Sequence, residues 1–225
     1  MKRIIVNTLL LLTPLVMSAQ NKAGNYQHAQ YCLSFTDYQA GNWIDADSIT
    51  KIYRTDSQIM WNGGTAIRFK GIDKETTKIL KSKAFAVNMN DTIYVNLHSL
   101  KNAGARWGNG YSIAYPYDNN KHLLFLERYV SRGQNTKFAL GGAVGGMVGA
   151  FIVAGTVDWT GKVCYLINHD DSKVTCIDGD EMQLILKDKP ELLEDYNRVS
   201  PKKERRAATY VMPFLKKAGL VNYYE

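Results

Sequence analysis

The sequence predicts an α+β fold whose mainly antiparallel sheet is built from hairpins and is followed by a helical C-terminus. Three observations lead there. Short runs rich in β-branched and aromatic residues, separated by Asn, Asp and Gly clusters, fill the first half. Helical patterns with Pro and Ser start signals fill the end. Strands first and helices last, without βαβ alternation, exclude a parallel doubly wound sheet.

At the start, Lys2 and Arg3 precede an apolar stretch over residues 4–17 that leaves through Ser18, Ala19 and Gln20. This is the pattern of a secretory signal peptide cut after Ala19. About fourteen apolar residues are too few for a bilayer core that needs about twenty. The expectation is therefore an exported chain that works in the periplasm or cell envelope. No Cys stands at the cut, which disfavours a lipid anchor of the bacterial lipoprotein kind.

Four segments follow from composition: the signal peptide (1–19), a hairpin-rich β region (20–137), a glycine-rich apolar helix (138–157), and a hairpin with C-terminal helices (158–225) that forms one domain with 20–137. Within the β region, Thr36 reads as the N-cap of a single helical turn stopped by Gly41. Residues 49–54 and 58–61 read as strands before Asn62, Gly63 and Gly64 reverse the chain into a strand at 65–70. Asp73 caps a basic helix at 74–81. Residues 84–87 and 92–97 flank a turn at Asn88, Met89, Asn90 and Asp91, and 111–115 with 122–129 make a third hairpin. In the last segment, 163–167 and 174–178 pair around Asp170. Met182, Ile185 and Leu186 then mark a helix face, Pro190 opens a second helix, and Ser200 with Pro201 opens a third that runs to Gly219.

The least ordinary feature is the run 138–157, which holds no charge between Lys137 and Asp158. At helical spacing Gly141, Gly145, Gly149, Gly142 and Gly146 fall within an arc of roughly 140°, opposite Leu140, Val144, Val148 and Phe151. A smooth glycine face lets another backbone approach closely, in lipid or in a packed core. Membrane contact, self-association and tight core packing all stay open, and a transmembrane helix is one form of the first.

No catalytic arrangement rises above background. The glycine run lacks both the dinucleotide fingerprint and the Lys of a P-loop, so no cofactor is expected. The histidines show no zinc spacing. His169, Asp170 and Asp171 with Asp178, Asp180 and Glu181 make the densest acidic group, but turn formation and helix capping explain them without a metal. Cys164 and Cys176, placed opposite each other by a turn centred on Asp170, leave a disulfide open, with Cys32 unpaired.

The formal net charge is +7, and the excess is uneven. Residues 20–137 hold 15 Lys and Arg against 9 Asp and Glu, whereas 158–225 hold 11 against 12. A mildly basic exported half could face anionic lipid or glycan. Export and the lack of a recognisable module exclude nucleic acid.

Residues 35–43, 83–96 with Asp91, Tyr94 and Asn96, the loop from Trp107 to Tyr111, the glycine run, and residues 165–167 with 187–192 carry a resemblance. The chain resembles a set of exported proteins of unknown function from Gram-negative gut anaerobes. That resemblance implies no activity. The favoured reading is an exported cell-envelope protein of structural or interaction type. The alternative is a soluble periplasmic ligand-binding protein or enzyme, with Trp43, Trp61, Trp107, Tyr111, Tyr115 and Tyr117 lining an aromatic site.

Overall fold

A computed structural model describes residues 27–98, 100–102, 105–129, 162–168, 173–198 and 204–222. The signal segment and the run 138–157, with its face of Gly141, Gly142, Gly145, Gly146 and Gly149, lie outside the described residues.

The first part of the chain runs β1 (Gln27–Cys32), α1 (Phe35–Ala40), β2 (Ile44–Tyr53), α2 (Asp56–Asn62), β3 (Ile67–Gly71), α3 (Lys74–Ser82), β4 (Ala86–Met89) and β5 (Thr92–Asn96). Short β6 (Lys101–Asn102) and β7 (Ala105–Arg106) lead into β8 (Tyr111–Tyr117) and β9 (His122–Arg128). After the undescribed stretch come β10 (Lys162–Ile167), β11 (Val174–Ile177), α4 (Gly179–Ile185), α5 (Pro190–Asn197), a 3-10 turn (Glu204–Arg206) and α6 (Ala208–Lys217).

Local chemistry explains most boundaries. The Ser34 hydroxyl, not Thr36, caps α1 by accepting the Asp37 N–H at 3.0 Å, and Gly41 ends that helix in the left-handed region at φ 70°. Asp73 caps α3 through the Thr76 N–H, and Pro190 occupies the first turn of α5. Asn90 and Asp91 both take positive φ, the backbone of a tight reversal between β4 and β5. Residues 58–61 are not a strand. Thr55 and Gln58 form a reciprocal capping box that starts α2, so β2 and β3 pair across a helix rather than across a glycine turn.

Nine strands form one antiparallel sheet in the order β11-β10-β9-β8-β3-β2-β1-β4-β5, and β8 also pairs with β5. Strands β1, β2, β3, β8, β5 and β4 therefore close into a six-stranded barrel, while β9, β10 and β11 extend the sheet outward from β8. Closure removes the exposed edges of the N-terminal strands. The closing seam is thin, because β3 meets β8 at one pair, Ile67↔Tyr111.

Ile49, Ile67, Phe69, Val87, Met89, Tyr94 and Tyr111 fill the barrel, and Leu80 of α3 packs among them. The helix end that enters this apolar space carries carbonyls with no partner of their own. Asn96 supplies one, donating from Nδ2 to the Leu80 and Ala84 carbonyls at 3.2 and 2.8 Å, and the Tyr111 hydroxyl donates to Leu80 as well. On the outer wing, one face packs against α4, α5 and α6 through Leu124, Cys164, Ile177, Met182, Tyr196 and Leu215. The other face gathers Phe35, Trp107, Leu123, Phe125, Val163 and Tyr165.

The β10–β11 register bears on the cysteine pairing that the sequence leaves open. Cys164 stands opposite Ile177 and Cys176 opposite Tyr165, one residue away from a facing pair. The Asn168 N–H donates to the Lys173 carbonyl, so the turn encloses an even number of residues rather than centring on Asp170. In a pleated strand one residue of slip sends a side chain to the other face. Cys164 accordingly packs with the C-terminal helices and Cys176 with the opposite core, and all three cysteines are free. Burial pushes the Cys32 and Cys176 thiols up to about 12 and Cys164 in the same direction, so none is a thiolate at neutral pH. Protein denatured without reductant is expected to titrate three thiols, whereas the native protein resists alkylation at pH 8. A count of one thiol would mean that the strands pair in the other register.

Candidate functional site

Beside the thin seam the sheet opens. Past Ile67↔Tyr111 the strand β3 has no partner on the β8 side, and a cleft of about 230 Å³ forms there. Its walls are Arg68, Phe69 and Lys70 of β3, Ile52 of β2, Thr77 and Lys81 of α3, and Asn109, Gly110 and Tyr111 before and at the start of β8. The two segments that meet at the seam are glycine turns in close approach. Gly64 lies so close to the Asn109 carbonyl that a Cβ on it would stand 2.0 Å away.

The electrostatics of the cleft are one-sided. Arg68, Lys70 and Lys81 line it and no carboxylate does. Among the described residues none of the three has an ion-pair partner within 4.0 Å. Behind them Arg54 is buried, donating to the Gly63 and Thr65 carbonyls at 2.7 and 3.1 Å and to the Gln58 carbonyl at 2.6 Å. Burial, and then the neighbouring Arg68, lower the Arg54 guanidinium from its ordinary range. Asn109 adds a donor: its Oδ1 accepts from His98 Nδ1, which turns the amide NH₂ away, with no partner among the described residues. The hydroxyls nearby are engaged elsewhere, Thr77 with Gly71 and Asp73, and Tyr111 with Leu80. This arrangement offers hydrogen-bond donors and positive charge.

The aromatic residues read from the sequence do not converge on one site. Trp107 is 1% exposed inside the outer core, Tyr111 lines the barrel, and Tyr117 packs with the C-terminal helices. Tyr115 packs beside Tyr117, Trp43 packs on Tyr38, and Trp61 is 58% exposed on α2. The acidic group is likewise split. Asp178 caps α4 by accepting the Asp180 and Glu181 N–H groups, while His169, Asp170 and Asp171 lie outside the described residues. Among the described residues no three His, Cys, Asp or Glu side chains gather as a metal site. Sequence reading missed Arg68, Lys70, Lys81 and Asn109. The basic excess over residues 20–137 was the one signal pointing to them, and it does not say which cations share a cleft.

A second feature is the root of the undescribed stretch. β9 and β10 pair up to Arg128↔Lys162, so the chain leaves and re-enters the sheet at the same point. That point is rigid. Trp107 Nε1 and the Tyr165 hydroxyl both donate to the Arg128 carbonyl, at 3.3 and 3.2 Å, and Arg206 lies 4.5 Å over the Tyr129 ring. Among the described residues no helix is long and apolar enough to cross a membrane.

Residues 30–222 match the model of DUF6563, a family of unknown function, and the chain belongs to that family. No curated protein and no solved structure matches it.

Proposed function

We propose that this member of DUF6563 is an exported cell-envelope protein of interaction type, in which the barrel and its wing form a platform for the apolar run 138–157. The signal-like segment 1–19 and the resemblance to exported proteins of Gram-negative gut anaerobes support the periplasm or envelope as its location. The observation that carries the interaction role is the pairing Arg128↔Lys162. Everything between those residues departs from one rigid point on the sheet, and twenty uncharged residues within it need a surface to lie against.

The same pairing argues against a single membrane crossing. A straight helix over 138–157 carries its far end about 30 Å from its start. Residues 158–161 can reach back no more than about 18 Å, so the return across the bilayer falls to residues 129–137. That leg would take Arg132 and Lys137 through hydrocarbon with its backbone groups unsatisfied. Self-association through the glycine face, or contact that enters and leaves one membrane surface, is the reading we put forward. The aromatic-lined ligand site loses support, since its six residues do not converge on one place.

The test replaces residues 130–160 with Asn-Gly, leaving a four-residue loop of a kind that joins antiparallel strands well. The shortened chain is expected to keep its thermal unfolding and to lose both chemical crosslinking and the membrane-bound fraction. The envelope form of the parent should begin within two residues of Gln20. A shortened chain that still crosslinks and sediments with membranes would defeat the proposal.

A further inference from the structure

The cleft beside the seam has a backbone component that its side chains do not reveal. In an antiparallel pair, residues alternate between exchanging hydrogen bonds with the partner strand and directing them away from it. The Arg54 N–H bonds to the Ala66 carbonyl and the Ile72 N–H to the Ser48 carbonyl. With the register Ile49↔Gly71, Lys51↔Phe69 and Tyr53↔Ile67, this makes Arg68 and Lys70 the residues that bond to β2. Ile67, Phe69 and Gly71 therefore direct their backbone groups toward β8. Ile67 finds Tyr111 there, and Gly71 is satisfied by the Thr77 hydroxyl at 3.1 and 3.2 Å. Among the described residues no paired partner faces Phe69 on that side, and its N–H, directed the same way, is left to the cleft that Phe69 lines.

We propose that this cleft binds a phosphate-class oxyanion, held by Arg68, Lys70 and Lys81 with the Phe69 N–H and the Asn109 amide as neutral donors. The donor set decides the class. A guanidinium and two ammonium groups carry three positive charges without a carboxylate among the lining residues, which suits a phosphomonoester or phosphodiester better than a neutral sugar or a cation. Filling the cleft with an anion also relieves a local repulsion, because Arg68 stands beside the buried Arg54 with no carboxylate in the cleft between them. Ile52, 39% exposed, gives the bound molecule an apolar wall, so the phosphate belongs to a larger molecule. Lys74 and Lys78 continue the positive charge from Lys81 along α3 at spacings of three and four, on exposed positions that an extended anionic ligand can follow. The cleft is formed by β2, β3, α3 and the start of β8, so this inference does not depend on residues 130–161.

The experiment uses the full chain and two probes. Inorganic phosphate and glycerol 3-phosphate are titrated calorimetrically at constant ionic strength against chloride. Vesicles of phosphatidylcholine, with and without phosphatidylglycerol, are tested by flotation. Arg68→Gln and Lys81→Gln are each expected to weaken binding about tenfold, the loss of one charge-assisted hydrogen bond, while Lys187→Gln on the distant exposed surface leaves it unchanged. Binding of the soluble phosphates that both cleft variants weaken identifies a free phosphorylated ligand. Binding only to phosphatidylglycerol vesicles, weakened in the same way, identifies a lipid headgroup. Adhesion to both vesicle types that no variant alters belongs to the apolar run, not to the cleft, and overturns this proposal. So does the absence of any phosphate or vesicle binding.

Discussion

Trp107→Ala is expected to lower the free energy of unfolding by about 3–5 kcal/mol, the range for deleting a large buried aromatic side chain. Trp107 is the largest fully buried side chain among the described residues, and its ring stands edge-on to Phe125 at 5.4 Å and to Tyr165 at 4.8 Å. Those two rings stack on each other at 5.2 Å, so the indole completes a three-ring cluster between the loop after β7 and the strands β9 and β10. Its removal leaves a cavity that fixed strands cannot close, and it takes away a hydrogen bond to the Arg128 carbonyl. A loss of that size is a large part of the 5–15 kcal/mol that ordinarily separates a folded domain from its unfolded chain. Chemical denaturation followed by far-ultraviolet circular dichroism measures it. Trp61→Ala is the control, since that ring is exposed on α2 and its loss should change stability by less than about 0.5 kcal/mol. Equal effects from the two substitutions would show that Trp107 does not organise this core.

How much of this was legible in the sequence depends on how local each cause is. The hairpins β4–β5 and β8–β9 are marked by Asn90 with Asp91 and by Asp118, Asn119 and Asn120, residues that tolerate the positive φ they adopt. Asp73, Asp178 and Pro190 mark helix starts for equally local reasons. The capping box of Thr55 and Gln58 was legible too, but the β-branched and aromatic residues around it read more strongly as strand. β1 escapes reading because its buried residues, Ala29 and Cys32, break the alternation of a half-exposed strand, and its place is set by β2 and β4 on either side. Barrel closure is non-local in the same way. Nothing near Ile67 announces that Tyr111 is its partner. The cleft inherits that difficulty, since Arg68 and Asn109 meet only because the barrel closes.

Gly64→Ala is expected to open that seam and to cost more than about 3 kcal/mol. Gly64 has φ +89°, where a side chain alone costs about 1–3 kcal/mol. Space adds a second penalty, since the new methyl would lie 2.0 Å from the Asn109 carbonyl oxygen and 3.0 Å from Arg54 Nη1. Neither atom can yield cheaply. The Asn109 carbonyl accepts the Thr65 N–H at 3.2 Å, and Arg54 is buried with its nitrogens committed to three carbonyls. Relief therefore requires the two glycine turns to separate, which breaks the Thr65–Asn109 bond and pulls Tyr111 from Ile67. Gly41→Ala separates the two penalties, because Gly41 also has positive φ, +70°, but nothing within 4 Å of its added methyl. That variant should lose only about 1–2 kcal/mol, the cost of a left-handed residue with a side chain. Hydrogen exchange supplies the local readout: in Gly64→Ala the Thr65 amide should lose protection by more than the global destabilisation explains, and in Gly41→Ala it should not. Were Gly64→Ala to cost no more than Gly41→Ala, with Thr65 equally protected in both, close approach of the two turns would not be what closes the barrel, and the cleft beside it would have no fixed wall at Asn109.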